Sequence, residues 1–335
     1  MKDVGQRAAE VAGLRHALPY VRLFKGKVFV VKVGGGLLAD PAATRAVLEQ
    51  VEVLFHLGVR VVVVHGGGPQ ASALSRALGS EPRFVAGRRV TDDIALEAAT
   101  LTLNGAANTA LLAACRALEI PAVGVSGVDA GLVRARRRPP VVVDGETVDY
   151  GHVGDVEAVD ASVLERLLAA GFLPVVSPLA ADDSGQVLNC NADGVASAVA
   201  VALRAMKLVL VTDVPGILER ADEPSSLISY TDLAGLAELR SAGVLAGGML
   251  PKTAAVEAAL LGGVGRAHLV SWRVPDGLLA ELFTNEGSGT LVVREPSALS
   301  PAELPVSGTP YETPAAGAVS YRVPETRAAT GAGDD

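Results

Sequence analysis

The sequence predicts an α/β chain built on an open, mainly parallel sheet with helices on both faces. Three observations carry this. Unbroken runs such as Val28-Phe29-Val30-Val31 and Val61-Val62-Val63-Val64 read as strands buried on both sides, not as alternating, half-exposed ones. Strand, loop and helix patterns then recur in that order along the chain, the arrangement that folds into parallel βαβ units. Finally, the chain is 50% hydrophobic but only 4% aromatic, so Val, Leu and Ala must build the core, a palette suited to parallel strands under helices.

The elements follow in order. Residues 5–24 carry Ala8, Val11, Leu14, Leu18 and Val21 near helical spacing and predict an amphipathic helix, with Pro19 as a kink or a second start. Strand 28–33, helix 41–57 and strand 60–64 form a βαβ unit, and a helix runs from about Gln70 to Leu78. The stretch Phe84 to Asp92 is a loop with adjacent Arg88 and Arg89, and Thr91 or Asp92 caps a helix over 93–118. Inside that helix, Asn104-Gly105-Ala106-Ala107-Asn108 either permits close packing or turns Asn104 towards a ligand. A strand at 121–126 follows. Arg134, Arg136, Arg137 and Arg138 read as a solvated face, and Asp144-Gly145 as a hairpin turn between valine-rich arms. Helix 161–170 leads to strand 173–177, and Asp193 stands at the start of helix 194–205. Strand 208–212, helices near 232–241 and 253–262, strand 267–270 and a helix near 276–283 complete the pattern. From about Arg294 an Ala/Thr/Gly/Ser-rich, proline-punctuated tail has too little apolar periodicity to bury itself, and disorder is expected over 294–335.

Composition narrows the function. The 335 residues suffice for one large domain or two lobes. A formal charge of −8, from 29 basic and 37 acidic side chains, argues against a nucleic-acid partner. No apolar run nears the roughly 20 residues of a membrane span, and the N-terminus lacks a signal-like core. Cys115 and Cys190 form no disulfide framework and fit a reducing compartment, so a cytoplasmic location is expected.

Ligands of open α/β sheets bind past the carboxyl ends of the strands, and the chemistry-bearing motifs gather there. Lys32 precedes Gly34-Gly35-Gly36, His65 precedes Gly66-Gly67-Gly68, and Gly247-Gly248 precedes Lys252. Glycine-loop N–H groups and lysines suit phosphate oxygens, and phosphoryl transfer needs mainly positioning and charge neutralisation. The expectation is a phosphotransferase without a covalent intermediate. Other motifs fail: Pro251 breaks the nearest approach to a P-loop, G-x-G-x-x-G is missing after the first strand, and G-x-S-x-G is missing altogether. The histidines and cysteines lack metal-ligand spacing, and His65 reads as a packed turn residue, not a base.

From about Ala17 to Val293 these residues resemble the acetylglutamate kinases of the amino acid kinase family. The resemblance rests on VKVGGG at 31–36, VVHGGGPQ at 63–70, GRRVTD at 87–92, LNGAANTALL at 103–112, GHVGDV at 151–156, PVVSPL at 174–179, NCNADG at 189–194, VTDVPGIL at 211–218 and GGMLPK at 247–252. It implies a three-layer α/β/α sandwich with an amino-acid lobe at 25–178 and a nucleotide lobe at 179–293, after an N-terminal helix at 1–24. It implies that ATP phosphorylates the γ-carboxylate of N-acetyl-L-glutamate in arginine biosynthesis, with Mg²⁺ riding on the ATP and no metal ligand from the protein. Lys32 and Lys252 would stabilise the transition state and Asp193 would orient both. Gly67 and Gly68 would hold the γ-carboxylate, Arg89 the α-carboxylate and Asn189 the acyl-amino end. Gly34, Gly35, Asp213, Gly216 and Leu218 would line the nucleotide site.

Regulation reads two ways. An N-terminal helix, Glu281 and Gly287-Ser288-Gly289-Thr290 resemble members that L-arginine inhibits, in which such a helix joins dimers into a hexamer. Ser271-Trp272-Arg273 resembles the insensitive members. A homodimer or hexamer is expected, with L-arginine as a feedback ligand. An aminoadipate-type acceptor, free or carrier-bound, differs by one methylene, worth only about 1–3 kcal/mol in a pocket, and is the alternative reading. A non-catalytic amino-acid sensor is the remote one.

Overall fold

The computed structural model describes Gly13, Arg15 and residues 17–143 and 145–295. Ala8, Val11 and Leu14 of the expected first helix, Asp144 of the expected hairpin turn and the tail from residue 296 lie outside the described residues. Residues 17–24 are helical and continue through Pro19.

The centre is an eight-stranded sheet. Its strands run in the spatial order Tyr230–Asp232, Thr290–Val293, Arg266–Ser271, Lys207–Thr212, Val28–Val33, Arg60–His65, Leu173–Ser177 and Ala122–Ser126. All neighbours are parallel except Arg266–Ser271 with Thr290–Val293. Helices cover both faces, so the chain is an α/β/α sandwich.

The two-residue period of a strand assigns each side chain to a face. Phe29, Val31 and Val33 pack with Val47, Leu48, Val51, Leu54 and Leu111 of helices Pro41–His56 and Asn108–Ala117. Val30, Val62, Val64, Leu208 and Leu210 pack with Val195, Val199, Val256 and Ala259 of helices Ala192–Ala202 and Met249–Leu261. Lys32, in register with Val64 and Leu210, shares this second face. Register alone therefore turns Lys32 towards the helices that carry Asp193 and Lys252.

Several expectations need correction. The helix over 93–118 is not continuous: Asp93–Thr100 gives way to a π-helical turn, Leu101–Ala107, before Asn108–Ala117. Its cap is Asp92, whose carboxylate accepts from Ala95 N at 2.7 Å. The glycines after the first strand do not form a bare turn, because Gly35–Leu38 is a short helix. The basic stretch Val133–Arg137 and the stretch Val153–Val159 are strands, and with Leu179–Ala181 and Val187–Cys190 they close a small barrel that linear patterning did not show. The arginines lie on its outside and pair with acids: Arg136 with Glu157 at 3.2 Å, Arg137 with Asp149 at 3.0 Å, and Arg138 with Asp155. Short edge strands such as Tyr230–Asp232 escaped notice because three residues carry no period. No described helix is long and apolar enough to cross a membrane.

Candidate active site

Three segments deliver the charged centre. Lys32 comes from the end of a strand buried on both faces. Asp193 stands in the first turn of Ala192–Ala202, whose N-cap Asn191 accepts from Asp193 N at 2.8 Å and Gly194 N at 3.1 Å. Lys252 lies in the first turn of Met249–Leu261. One carboxylate joins the two lysines: Lys32 Nζ is 2.7 Å from Asp193 Oδ1, and Lys252 Nζ is 3.1 Å from Asp193 Oδ2. Lys32 and Asp193 are buried, at 6% and 4% exposure, which excludes water from this pair.

The electrostatics follow from burial and charge. Burial pushes the Asp193 carboxyl up, but the attraction of Lys32 and then Lys252 outweighs it and leaves the carboxyl below its ordinary value. Burial lowers the Lys32 ammonium; Asp193 opposes this, Lys252 adds to it, and the net shift is down. A phosphate-binding Lys32 must be protonated, so the ammonium form is lost as pH rises through a value below the ordinary 10.5. The alkaline limb of kcat/KM, which reports the free enzyme, is accordingly expected below pH 10.5. A limb at or above 10.5 would separate Lys32 from the rate.

Beside this centre is a cavity of about 230 Å³. Gly67, Gly68, Arg89, Asn189, Lys32 and Asp193 are among the residues that line it. The glycine loops fit tightly: a Cβ on Gly35 would lie 2.7 Å from Pro69 Cδ and 3.0 Å from Gly68 N. Gln70 Nε2 donates to Gly35 O at 2.8 Å and ties the first loop to the second. Arg89 donates to Gly68 O at 2.9 Å and Ser72 Oγ at 2.5 Å, with its guanidinium 4.9 Å from the Phe84 ring centroid. It has no carboxylate partner among the described residues, which leaves its charge for an anionic ligand. Arg88 faces away, into a separate groove with Asp155 and Ser197. Asn189 Nδ2 donates to Thr91 Oγ1 at 3.2 Å, joining the barrel to the loop that carries Arg89.

The structure thus brings together Lys32, Lys252, Asp193, Gly34, Gly35, Gly67, Gly68, Arg89 and Asn189. Asp213, Gly216 and Leu218 are not among the residues lining the cavity. They follow the neighbouring strand Lys207–Thr212 at the same edge, and Asp213 is close enough to act on the charge of Lys32. Gly216 is a close-packing position, since Ile217 N donates to Thr290 Oγ1 at 2.9 Å and a Cβ on Gly216 would run into that hydroxyl. Asn104 accepts from Ser177 Oγ and does not line the cavity. Sequence reading missed Asn191, Ser72 and Gln70. The Asn-x-Asp spacing ahead of a helix was a capping signal that could have found the first.

Comparison with known proteins gives the family. The model of the amino acid kinase family matches residues 27–271. An acetylglutamate kinase of Myxococcus xanthus is 52% identical over 290 residues, covering 85% of this chain and 94% of its own. One of Symbiobacterium thermophilum is 45% identical, covering 86% and 99%. Among solved structures, N-acetylglutamate synthase from Neisseria gonorrhoeae, complexed with coenzyme A and N-acetyl-glutamate, superposes with a TM-score of 0.74 at 30% identity; the match covers 85% of this chain and 63% of that longer one. Carbamate kinase from Giardia lamblia bound to AMP-PNP, at 18% identity and a TM-score of 0.56, shares the fold. The chain belongs to the amino acid kinase family, among its acetylglutamate kinases.

Proposed function

We propose that this chain transfers the γ-phosphoryl group of ATP to the γ-carboxylate of N-acetyl-L-glutamate, giving N-acetyl-L-glutamyl 5-phosphate and ADP in arginine biosynthesis. The observation that carries the reading is the single buried carboxylate of Asp193 gripping Lys32 and Lys252 at the wall of a glycine-lined cavity. An acceptor carboxylate oxygen forms its bond to the γ-phosphorus as the bond to the β–γ bridging oxygen breaks. The acceptor is already ionised, so no base has to remove a proton, and no histidine is required at the centre. The remaining task is to neutralise charge on the transferring group and hold the oxygens in line.

Lys32 and Lys252 supply that charge, and Asp193 keeps both from swinging away. The Gly67 and Gly68 N–H groups hold the γ-carboxylate, Arg89 the α-carboxylate in the two-pronged manner suited to guanidinium, and Asn189 the acyl-amino end. Gly34, Gly35 and the Asp213–Leu218 stretch take the nucleotide, with residues 25–178 as the amino-acid lobe and 179–293 as the nucleotide lobe. No group of three His, Cys, Asp or Glu among the described residues could hold a metal ion. In this reading Mg²⁺ arrives on the ATP phosphates in a cytoplasmic homo-oligomer.

The first test is ADP release with Mg-ATP and N-acetyl-L-glutamate, N-acetyl-L-aminoadipate or free glutamate. Strong preference for the first is expected; preference for the aminoadipate would replace the acceptor while keeping the mechanism. Arg89→Ala is expected to raise the acceptor KM about 10- to 100-fold, as losing a hydrogen bond to a charged group costs about 1.5–3 kcal/mol, and to leave the ATP KM alone. An unchanged acceptor KM would move the α-carboxylate elsewhere.

L-Arginine is proposed as a feedback inhibitor. Support comes from the helix at 17–24, which docks on the end of the last helix and the residues after it: the Phe24 and Phe283 rings meet edge to face at 5.5 Å, and Tyr20 donates to Asn285 Oδ1 at 2.6 Å. Glu281 lies on that same last helix, with Oε1 paired to His268 Nδ1 at 2.8 Å and Oε2 accepting from Ser288 N and Gly289 N at 2.8 Å each. Inhibition is expected across millimolar L-arginine in a steady-state assay, and a flat response would reject it.

A further inference from the structure

His65 is fully buried at the end of Arg60–His65, one residue before the glycine loop, and the mechanism above gives it nothing to do. Its partners are specific. Nδ1 lies 3.0 Å from Gly66 O, and Nε2 lies 3.2 Å from Asn108 Nδ2, which also donates to Val175 O at 3.1 Å.

The protons can be assigned from these contacts. A carbonyl oxygen only accepts, so Nδ1 carries the ring proton. Asn108 turns its nitrogen to the Val175 carbonyl, so its second hydrogen points at Nε2, which must be bare. The ring is neutral in this arrangement, and burial favours the same form by lowering its pKa.

The next step is backbone geometry. The described chain contains no cis peptide bonds, and in a trans peptide the Gly66 C=O and the Gly67 N–H point in opposite directions. Pinning the carbonyl to the ring therefore aims the N–H the other way, and Gly67 lines the acceptor cavity. We propose that His65, held in its Nδ1–H form by Asn108, is a positioning residue that turns the Gly66–Gly67 peptide so that the Gly67 N–H faces the acceptor carboxylate. This rests on the reading that Gly67 N–H binds that carboxylate.

The surroundings are shaped for it. The π-helical turn Leu101–Ala107 delivers Asn108 to the ring. Gly124 leaves room for the Asn108 amide, since a Cβ there would collide with Oδ1. Leu103, from the same turn, backs the loop: a Cβ on Gly67 would lie 2.7 Å from Leu103 Cδ2. The loop is thus clamped by the ring of the residue before it, itself held by Asn108, and by a leucine from a distant turn.

The test compares H65N and H65Q. An Asn amide nitrogen can stand where Nδ1 stood and donate to Gly66 O; a Gln nitrogen reaches towards the Nε2 position and leaves that carbonyl without its donor. Losing one oxyanion donor costs about 100- to 1000-fold in turnover, and misaiming one should cost less. H65Q is expected to lower kcat/KM for N-acetyl-L-glutamate about 10- to 100-fold with the ATP KM within about twofold, and H65N to restore most of it. Equal losses in both variants, or a loss shared with ATP, would overturn the assignment. The imidazole ¹⁵N shifts of His65 in the unsubstituted enzyme need neither substrate nor a variant that folds: the Nδ1–H tautomer is expected, and an Nε2–H ring would overturn the inference. Absence of turnover in the unsubstituted enzyme would instead reject the functional reading, leaving the tautomer result to stand by itself.

Discussion

Lys32→Ala or Lys252→Ala lowers turnover by about 100-fold or more while the protein stays folded. The magnitude follows from the chemistry. A charge placed on a transferring phosphoryl group in a water-poor site contributes several kcal/mol to the transition state, and 100-fold is about 2.7 kcal/mol. Folding should survive because Asp193 grips each lysine through a different oxygen. Removing either lysine leaves the carboxylate paired with the other. Moreover, the lowered pKa of Lys32 means that burying its ammonium is not fully offset by its partners, so this lysine is held for function at some cost to the fold. Steady-state kinetics with a thermal melt of each variant checks this. Near-normal turnover in either one sinks the assigned role, and a collapsed melt makes that lysine structural.

Asp193→Asn is expected to act on activity and stability together. The buried Lys32 ammonium and the half-buried Lys252 ammonium lose their shared counter-charge, and breaking a buried pair by removing one partner costs about 3–5 kcal/mol. The pH dependence carries a sign that can be worked out. The Asp193 carboxyl is held below its ordinary 3.8, so its contribution to stability is present above that value and is lost as pH falls through the lower, folded-state value. The variant should therefore melt lower at neutral pH, and the difference should shrink towards strong acid. Losing the carboxylate also removes an attraction that raises the Lys32 pKa, so the alkaline limb of kcat/KM should move further down. A variant with the same alkaline limb and the same neutral-pH melt would show that Asp193 does not hold the lysines.

The fold was legible because its signals are local and repeated. Valine runs mark strands that must be covered on both faces, and the buried core of Val30, Val62, Val64, Leu208 and Leu210 is what those runs became. Lys32, Gly67, Gly68 and Lys252 could be picked out as residues that gather phosphate, since lysines and glycine N–H groups suit anions wherever they occur. Arg89 could not be preferred to Arg88 by spacing. The two differ only in which way the short ladder Phe84–Val85 with Arg88–Arg89 turns them, one into the glycine-lined cavity and the other into a separate groove.

The sequence by itself determined the class of fold, the order of its elements and the chemical type of the site, because strand periodicity, capping residues and phosphate-binding groups are written over a few neighbouring positions. Only the tertiary structure decided how Lys32 and Lys252 divide the carboxylate of Asp193, one on each oxygen, that distant strands close a small barrel, and that His65 and Asn108 meet across 43 positions to set a glycine peptide. The reason is physical. Those contacts depend on which face of the sheet a register presents and on where a π-helical turn re-aims the next residue, and neither is fixed until the strands have paired and the helices have packed over them.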